Sequence, residues 1–175
     1  MLGAVLALGG CHNLSGGEKQ QAEVIDAFYR IHLQTAAPGL PTPDELKQLQ
    51  PLLSPALSSL LMRAEAAQER QRAQAGTGAQ VAPLVEGDLF TSLYEGATGF
   101  SVASCDTDED GTRAACQVDL RHDKDGADES WHDKVLLVRQ DRQWRIDDIE
   151  FIGHDQSSQR EYLTDTLTDA LQQAE

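Results

Sequence analysis

The stretch Trp144-Arg-Ile-Asp-Asp-Ile-Glu-Phe151 decides the fold that this sequence predicts. It mixes β-branched and aromatic residues with acids and contains neither glycine nor proline, which is typical of a β-strand whose two faces meet different surroundings. The stretch Trp131-His-Asp-Lys-Val-Leu-Leu-Val-Arg139 precedes it, and a charged turn at residues 140–143 joins the two. Together they predict a β-hairpin.

The sequence on either side of this hairpin predicts the remaining elements. Alternating apolar and polar residues predict two earlier strands, and apolar stripes at steps of three and four predict helices. The strands are Phe100–Cys105 and Ala114–Arg121; the helices are Glu18–Gln34, a short one opened by Thr42-Pro43 and stopped by Pro51, one opened by Ser54-Pro55, and Ser157–Gln173. An irregular segment with one short helical turn, residues 83–99, lies before the first strand.

This order of elements predicts a single α+β domain, residues 18–175. Three N-terminal helices and a C-terminal helix are expected to pack on a curved, four-stranded antiparallel sheet. A capping box is expected at the second helix, where the Thr42 side chain accepts from the Glu45 amide and Glu45 returns to the Thr42 amide. His32 lies on an apolar stripe, which favours a buried, satisfied histidine over a ligand. Residues 63–75 turn polar and alanine-rich, which predicts a helix end in solvent, frayed or used as a coiled-coil arm.

The chain carries 29 Asp and Glu against 14 Lys and Arg, a net charge of −15 over 175 residues. Such a surface repels phosphate backbones, so nucleic acid is disfavoured as a partner. A basic protein or a cation suits it. A solvated acidic surface without a partner is the simpler alternative.

The N-terminus carries a short apolar run, residues 1–8, that leads into Leu8-Gly9-Gly10-Cys11. A membrane span needs about 20 such residues. The run and the small residues before the cysteine resemble the lipobox of bacterial lipoproteins. The resemblance implies that residues 1–10 are a signal remnant, that Cys11 carries lipid, and that residues 11–17 are a flexible tether. His12 rather than Asp follows, so the outer membrane is expected. The usual basic start is missing, and a buried N-terminal strand is the alternative.

The sequence holds three cysteines, so lipidation of Cys11 leaves Cys105 and Cys116. An export signal implies the oxidising periplasm, where this pair is expected to form a disulfide. Ten residues lie between the two, mostly Asp, Gly and Thr. The cysteines would therefore face each other where a hairpin loop begins, within disulfide reach.

Four short motifs are spread over the chain after residue 20. They are Ala27-Phe28-Tyr29, Leu57 with Leu60-Leu61, Gly87-Asp88-Leu-Phe90-Thr-Ser-Leu93 and Trp144-Arg-Ile-Asp-Asp-Ile149. In these motifs the chain resembles the nuclear-transport-factor-two-like (cystatin-like) superfamily, and more closely a branch of uncharacterised bacterial periplasmic lipoproteins. The resemblance implies a cone-like sheet around a concave face. It implies no functional residue, because the branch has no established activity.

The acidic loop between the two cysteines is open to three interpretations. Residues 106–111 match the first half of a calcium loop, with oxygen-bearing side chains at positions one, three and five and glycine at six. Ala114 and Gln117 stand at positions nine and twelve, where the last needs a bidentate Glu, so no metal site is predicted and a weak one is the alternative. The loop is instead a candidate contact for a basic partner, or a plain solvated loop. The candidate contacts are Asp106, Asp108, Glu109 and Asp110.

No catalytic residue and no cofactor are predicted. The five histidines lack metal-ligand spacing, and no glycine-rich phosphate loop follows a strand. Enzymes of the resembled superfamily use a buried Asp or an Asp-His pair, and His132, Asp133 and one of Asp147 and Asp148 could form such a set. Strand neighbours point to opposite faces, so Asp147 and Asp148 cannot share a proton. Acids paired with bases across the hairpin are the simpler alternative.

The predicted location in the cell envelope, the acidic charge and the lack of a set of catalytic residues together predict a non-catalytic envelope lipoprotein. It would bind and neutralise a protein partner. Small acidic lipoproteins of the periplasm often act as immunity proteins against secreted antibacterial toxins, which are frequently basic, so an acidic surface would steer association. The alternative is a small-ligand-binding or enzymatic pocket protein, isomerase- or dehydratase-like, and it rests on fold analogy. An interior filled by Trp131, Trp144, Phe100 and Phe151 would contradict the alternative.

Overall fold

The computed structural model describes residues 16–35, 37–76, 78, 80–123, 126, 128–153 and 160–174. Within these ranges the chain forms four α-helices, one 3-10 turn and five β-strands. They are α1 (Gly16–Thr35), α2 (Pro43–Leu49), the 3-10 turn (Gln50–Leu52), α3 (Pro55–Ala75), β1 (Gly99–Thr107), β2 (Arg113–His122), β3 (Glu129–Gln140), β4 (Gln143–Gly153), β5 (Glu161–Tyr162) and α4 (Leu163–Gln173). The predicted α+β class is confirmed.

The five strands form one antiparallel sheet in the order β1-β2-β3-β4-β5, so neighbours in the chain are neighbours in the sheet. The hairpin predicted from Trp144–Phe151 is confirmed, with Gln140 opposite Gln143. The turn residues Asp141 and Arg142 have φ of 49° and 67°. Positive φ at both positions gives a two-residue turn whose twist matches that of the strands.

The predicted helix Ser157–Gln173 begins later than expected. Residues 154–159 lie outside the described ranges, and the next residues, Glu161–Tyr162, form the fifth strand beside β4. The prediction of four strands is therefore short by one. Two residues are too few to show a strand period, so the sequence pattern cannot separate β5 from the helix that follows it.

A side chain of β4 sets the start of α4. Asp148 accepts hydrogen bonds from the Thr164 amide at 3.0 Å and from the Thr164 hydroxyl at 2.6 Å. The first amides of a helix have no partner inside it, and this carboxylate satisfies one of them from a distant strand. The helix sequence itself holds no trace of such a cap.

The predicted starts of α2 and α3 are confirmed. Thr42 accepts from the Glu45 amide at 3.2 Å, and Ser54 accepts from the Leu57 amide at 3.1 Å. Proline follows both capping residues, where its missing N–H costs nothing. The return half of the predicted capping box is wrong: the Glu45 carboxylate pairs with His32 of α1 instead of the Thr42 amide, and so ties two helices together.

The core lies between the helices and the inner face of the sheet. Alternate residues of β2 and β3 are buried, and α1 packs against β1, β2 and β4. Phe28 packs edge to face on Tyr29 at 5.2 Å and on Phe90 at 5.0 Å between ring centroids. Tyr29 in turn stacks on Phe100 of β1 at 5.3 Å. The aromatic rings thus join α1 to the sheet.

The helix end predicted to lie in solvent, residues 63–75, is partly buried. Ala64, Ala67 and Gln68 are covered, and the Gln68 side-chain oxygen accepts from the Leu84 amide at 3.2 Å. Alanine at a helix contact lets the neighbouring backbone come close, which is why an alanine-rich stretch is compatible with packing. The exposed end starts after Gln68.

Candidate functional site: the acidic hairpin

The acidic hairpin, residues 105–116, joins β1 to β2. Cys105 and Cys116 lie opposite each other and form a disulfide, with their Cα atoms 4.0 Å apart. The disulfide prediction is confirmed. The strands continue for two more paired positions beyond the cysteines, so the loop is shorter than the sequence suggested. Only residues 108–112 form the tip.

The Asp108 carboxylate orders the tip from within. It accepts from the Thr112 amide at 2.8 Å, the Thr112 hydroxyl at 3.2 Å and the Arg113 amide at 3.1 Å. The Arg113 amide, with help from Thr112, holds the pKa of Asp108 below its usual value. Gly111 has a φ of 65°, which lets the chain turn back at low cost. Asp108 therefore shapes the hairpin and is not free for a partner.

The other three predicted contact residues, Asp106, Glu109 and Asp110, are exposed. None of the three has a hydrogen-bond or ion-pair partner within the described ranges. The base of the tip is held on both sides. Gln21 of α1 donates to the Thr107 hydroxyl at 2.8 Å, and the Arg139 amide of β3 donates to the Thr112 carbonyl at 2.7 Å. Three free carboxylates thus stand on a fixed support.

The carboxylates of the hairpin do not gather around a point where a cation could sit. Within the described residues, no group of three His, Cys, Asp or Glu side chains has a metal-binding arrangement. Asp106 lies on strand β1, and the carboxylate oxygens of Asp108 already accept hydrogen bonds from the tip. The position-twelve residue of the calcium-loop comparison, Gln117, lies in β2 opposite Lys134.

A second polar centre is buried between α1, α2 and the irregular segment, residues 84–98. His32 Nδ1 lies 3.2 Å from the Glu45 carboxylate, and Nε2 lies 2.8 Å from the Asp88 carboxylate. Burial lowers the pKa of His32, but hydrogen bonds and charge from Asp88 and Glu45 overcome this and raise it to about 9. His32 is therefore a charged core residue at neutral pH, and its environment confirms the expected satisfied histidine.

Asp133 of β3 forms a third polar centre and is fully buried. Its carboxylate accepts from the Ser92 amide at 2.9 Å, the Ser92 hydroxyl at 2.7 Å and the Trp131 indole at 3.3 Å. It also accepts from the amides of Ile152 at 2.9 Å and Gly153 at 3.2 Å, at an irregularity in the β3–β4 pairing. Five neutral donors thus surround one carboxylate, and Asp133 ties the irregular segment to the sheet.

The structure does not assemble the catalytic set considered from the sequence. His132 and Asp133 are neighbours on β3 and point to opposite faces, and Asp133 has used its acceptors on structural donors. Asp148 caps α4. Asp147 is the unpaired residue where the β3–β4 register shifts. The simpler alternative was an ion pair between the acid and a basic residue across the hairpin. It is also wrong for Asp148, whose carboxylate binds Thr164.

Aromatic and aliphatic side chains fill the concave side of the sheet. Trp131 and Trp144 belong to the core, with Phe100 and Phe151 packed against it. Tyr29 is buried among them and donates to the Phe90 carbonyl at 3.2 Å. Burial, followed by the charges of Asp133 and Asp88, raises the pKa of Tyr29 well above its usual value. Of the four aromatic residues named from the sequence, Trp131 and Trp144 are thus buried, and Phe100 and Phe151 are half-buried.

The irregular segment is wholly described and contains no helix, so the predicted helical turn is wrong. Its shape comes from bonds to distant residues together with bonds inside the segment. The Gly39 amide donates to the Gly87 carbonyl at 2.6 Å, and the Phe90 amide donates to Asp88 at 2.7 Å. Sequence reasoning singled out Gly87–Leu93 as a motif but missed that Asp88 and Ser92 are its two anchors. The sequence signal that could have indicated these anchors is an acid and a hydroxyl residue, Asp88 and Ser92, among apolar residues.

The described helices include none that is long and apolar enough to cross a membrane. No family model matches the chain. The uncharacterized lipoprotein YbjP of Escherichia coli (strain K12) is 28% identical to it over 110 residues, which are 63% of this chain and 57% of YbjP. The chain is therefore a distant relative of a bacterial lipoprotein, and the match spans little more than half of that protein's length.

Among solved structures, the intermembrane space region of the chloroplast protein ARC6 is similar at a TM-score of 0.42 and 16% identity. The similarity covers 74% of this chain and 92% of that chain. A similarity of this size carries no argument about fold family or function.

Proposed function

We propose that this protein is a non-catalytic envelope lipoprotein that binds a basic protein partner through the acidic hairpin. The partner class is a secreted antibacterial toxin, which the protein would neutralise as an immunity protein. One observation carries the proposal: three exposed carboxylates, on Asp106, Glu109 and Asp110, stand on a tip that Asp108 and a disulfide hold in shape. A pre-ordered contact loses little entropy on binding.

The distant relationship to a lipoprotein supports a location in the cell envelope. Cys11, which lies outside the described residues, is the proposed lipid attachment site, with the outer membrane as the proposed home and the periplasm as the compartment. Four residues lie between it and the start of α1 at Gly16, so five chain steps give a reach of at most about 18 Å. The Gln21–Thr107 hydrogen bond places the acidic hairpin beside this end of α1. A lipid at Cys11 would therefore hold the hairpin close to the membrane surface.

The superfamily assignment is also a proposal. Helices that pack on the inner face of a curved antiparallel meander, as α1 does here, support a nuclear-transport-factor-two-like fold.

The test uses the mature chain and any secreted protein encoded beside its gene, with envelope extracts as the second source of a partner. Replacement of Asp106→Asn, Glu109→Gln and Asp110→Asn together should weaken binding about tenfold and flatten its salt dependence. Asp108 stays unchanged because it orders the tip. The matched control removes three exposed acids elsewhere, Glu23→Gln, Glu95→Gln and Asp128→Asn, and should bind within about twofold of the wild type.

Three outcomes would count against the proposal. Equal losses in both triple variants would show that bulk charge, and not the hairpin, meets the partner. The lack of any partner from either source would contradict the binding function. Unchanged membrane partition of Cys11→Ser would contradict the lipid anchor.

The disulfide has its own test. Protein taken from the periplasm and denatured without reductant should show no free thiol at Cys105 or Cys116. Replacement of both by serine should lower the free energy of unfolding by about 2–3 kcal/mol, because the closed loop is short. It should also weaken partner binding if tip order matters. Two titratable thiols would contradict an oxidised pair in the cell.

A further inference from the structure

A surface groove between α3 and the end of α4 differs in charge from the rest of the molecule. It has a volume of about 670 Å³ and is lined by Pro55, Ser58, Ser59, Met62, Arg63, Ala66, Arg70, Leu171 and Ala174. The chain has about two acids for every base, yet among the described residues this lining holds two arginines and no carboxylate. We call it the arginine groove.

The arginine groove follows one stripe of α3. Pro55, Ser59, Met62, Ala66 and Arg70 recur at steps of three and four, so they share a face of the helix. The buried residues of α3 lie on another stripe, which includes Leu57, Leu61 and Ala64. The groove stripe, from Pro55 to Arg70, lies apart from these core residues and extends for about 22 Å, roughly four helical turns. It is therefore not needed for the core and has the length of a short partner helix.

The floor of the groove is apolar and accessible. Met62 is 49% exposed, one of two large hydrophobic side chains with such exposure in the described chain. Leu171 and Ala174 of the α4 end form the opposite wall. The small side chains of Ser59 and Ala66 leave room on either side of Met62. Methionine is flexible and polarisable, which suits a surface that receives another apolar side chain.

The two arginines are free to bind an outside group. Arg30 and Arg72, by comparison, pair with Asp26 and Glu69 on their own helices. Arg63 and Arg70 have no ion-pair or hydrogen-bond partner within the described ranges. Seven residues apart on one helix, they lie about 10 Å from each other along the axis. At that spacing the two flexible side chains can meet two separate carboxylates on one partner helix.

We propose that the arginine groove binds an amphipathic helix of an acidic protein partner, separate from the basic partner of the acidic hairpin. Acidic side chains seven residues apart on the partner lie on one face of its helix and match Arg63 and Arg70. Leucine-type side chains between them pack on Met62 and Leu171, as in other helix-in-groove complexes. A lipid headgroup fits less well, because one phosphate between the arginines would leave most of the 22 Å stripe uncovered, whereas a helix covers it.

The experiment measures binding of a dye-labelled, side-chain-stapled helix of about 18 residues to the full chain. The probe has leucines at steps of three and four and two glutamates seven residues apart. A second probe has lysines in place of the glutamates. The glutamate probe should bind at least about tenfold more tightly than the lysine probe, and added salt should reduce the difference.

Variants then locate the binding site. Arg63→Glu with Arg70→Glu should weaken binding of the glutamate probe about tenfold or more, and Met62→Asp should also weaken it. Arg72→Glu is the control, since Arg72 is exposed on the same helix but does not line the groove. It should bind like the wild type. All the changed residues are exposed, so thermal unfolding should show that the variants remain folded.

Four results would overturn the proposal. One is no binding of the glutamate probe at millimolar concentration, and another is equal binding of both probes. The third is arginine-dependent binding to vesicles of anionic phospholipid without probe binding, which would assign the groove to a membrane surface. The fourth is self-association that Arg63→Glu with Arg70→Glu abolishes, again without probe binding, which would assign it to a second copy of this chain.

Discussion

Asp133 and Asp88 hold the same irregular segment in place by opposite chemistry. Asp133 reaches it from the sheet and is surrounded by five neutral donors. Asp88 lies in the segment and reaches back to a buried histidine of α1, which also faces Glu45. One anchor neutralises a buried charge with dipoles, and the other with an opposite charge.

The difference has a consequence for stability. Backbone amides, a serine hydroxyl and an indole do not titrate in the ordinary pH range, so the donors around Asp133 are constant. The histidine anchor exists in full only while His32 is protonated. A segment of 15 residues without helix or strand is therefore fixed near its middle by two anchors four residues apart, a titratable one at Asp88 and a constant one at Ser92.

The largest effect is expected from Asp133→Ala. The change leaves five donors, one buried and four part-buried, without this acceptor and should lower the free energy of unfolding by about 4 kcal/mol. Asp133→Asn keeps one oxygen and should cost about half as much. Urea unfolding followed by tryptophan fluorescence measures both, and Trp131 is itself one of the donors. A loss below about 1 kcal/mol for Asp133→Ala would show that water replaces the carboxylate.

His32→Gln breaks the other anchor and is expected to cost about 3 kcal/mol, because Glu45 and Asp88 then share a buried site without a cation. Adding Glu45→Gln and Asp88→Asn removes the two charges and should recover at least about half of the loss. A triple variant as unstable as the single one would mean that packing, and not charge, makes His32 important. The same urea series measures all three proteins.

The residues of these anchors show which features of the fold can be predicted from the sequence. The strand Trp144–Phe151, the proline-opened helices and the pairing of Cys105 with Cys116 could all be predicted, because each depends on local pattern or on a near neighbour. The stripe that holds His32 predicted its burial. Its partners could not be predicted, since Asp88 lies 56 residues away and nothing local marks it.

The same limit explains the errors in the candidate site. Asp108 looked like one of four equivalent surface acids, but its bonds to Thr112 and Arg113 depend on the exact turn. Asp133 and Asp148 looked like catalytic candidates because both are acids on a central hairpin. Each is instead an acceptor for backbone amides that the fold brings from elsewhere. A local pattern shows which acids exist, while distant donors decide what each acid does.

A pH series separates the two anchors without breaking either. The pKa of His32 rises from 6.5 to about 9 on folding, so its contribution is complete below pH 6.5 and is lost as the pH rises through 9. The free energy of unfolding should fall by on the order of 3 kcal/mol over this interval. His32→Gln should remove this slope. Asp133→Asn should lower the whole curve and keep the slope; a slope that survives His32→Gln would assign the titration to another group.

The smallest effect on stability is expected from Asp148→Ala. Asp148, like Asp133, accepts only from uncharged donors, but it lies nearer the surface. Asp148 accepts from the Thr164 amide and hydroxyl much as Asp133 accepts from the Ser92 amide and hydroxyl. Asp148 is half-buried, however, whereas Asp133 is fully buried. Water can therefore reach the donors that Asp148→Ala would release, and the cost should be about 1 kcal/mol, the usual value of a lost helix cap.

Hydrogen exchange should localise the loss to the first turn of α4, because the remaining core is untouched. Thr164→Val in the Asp148→Ala background should add little, since the hydroxyl has already lost its partner. A cost near that of Asp133→Ala would mean that the number of donors, and not their burial, sets the strength of these anchors.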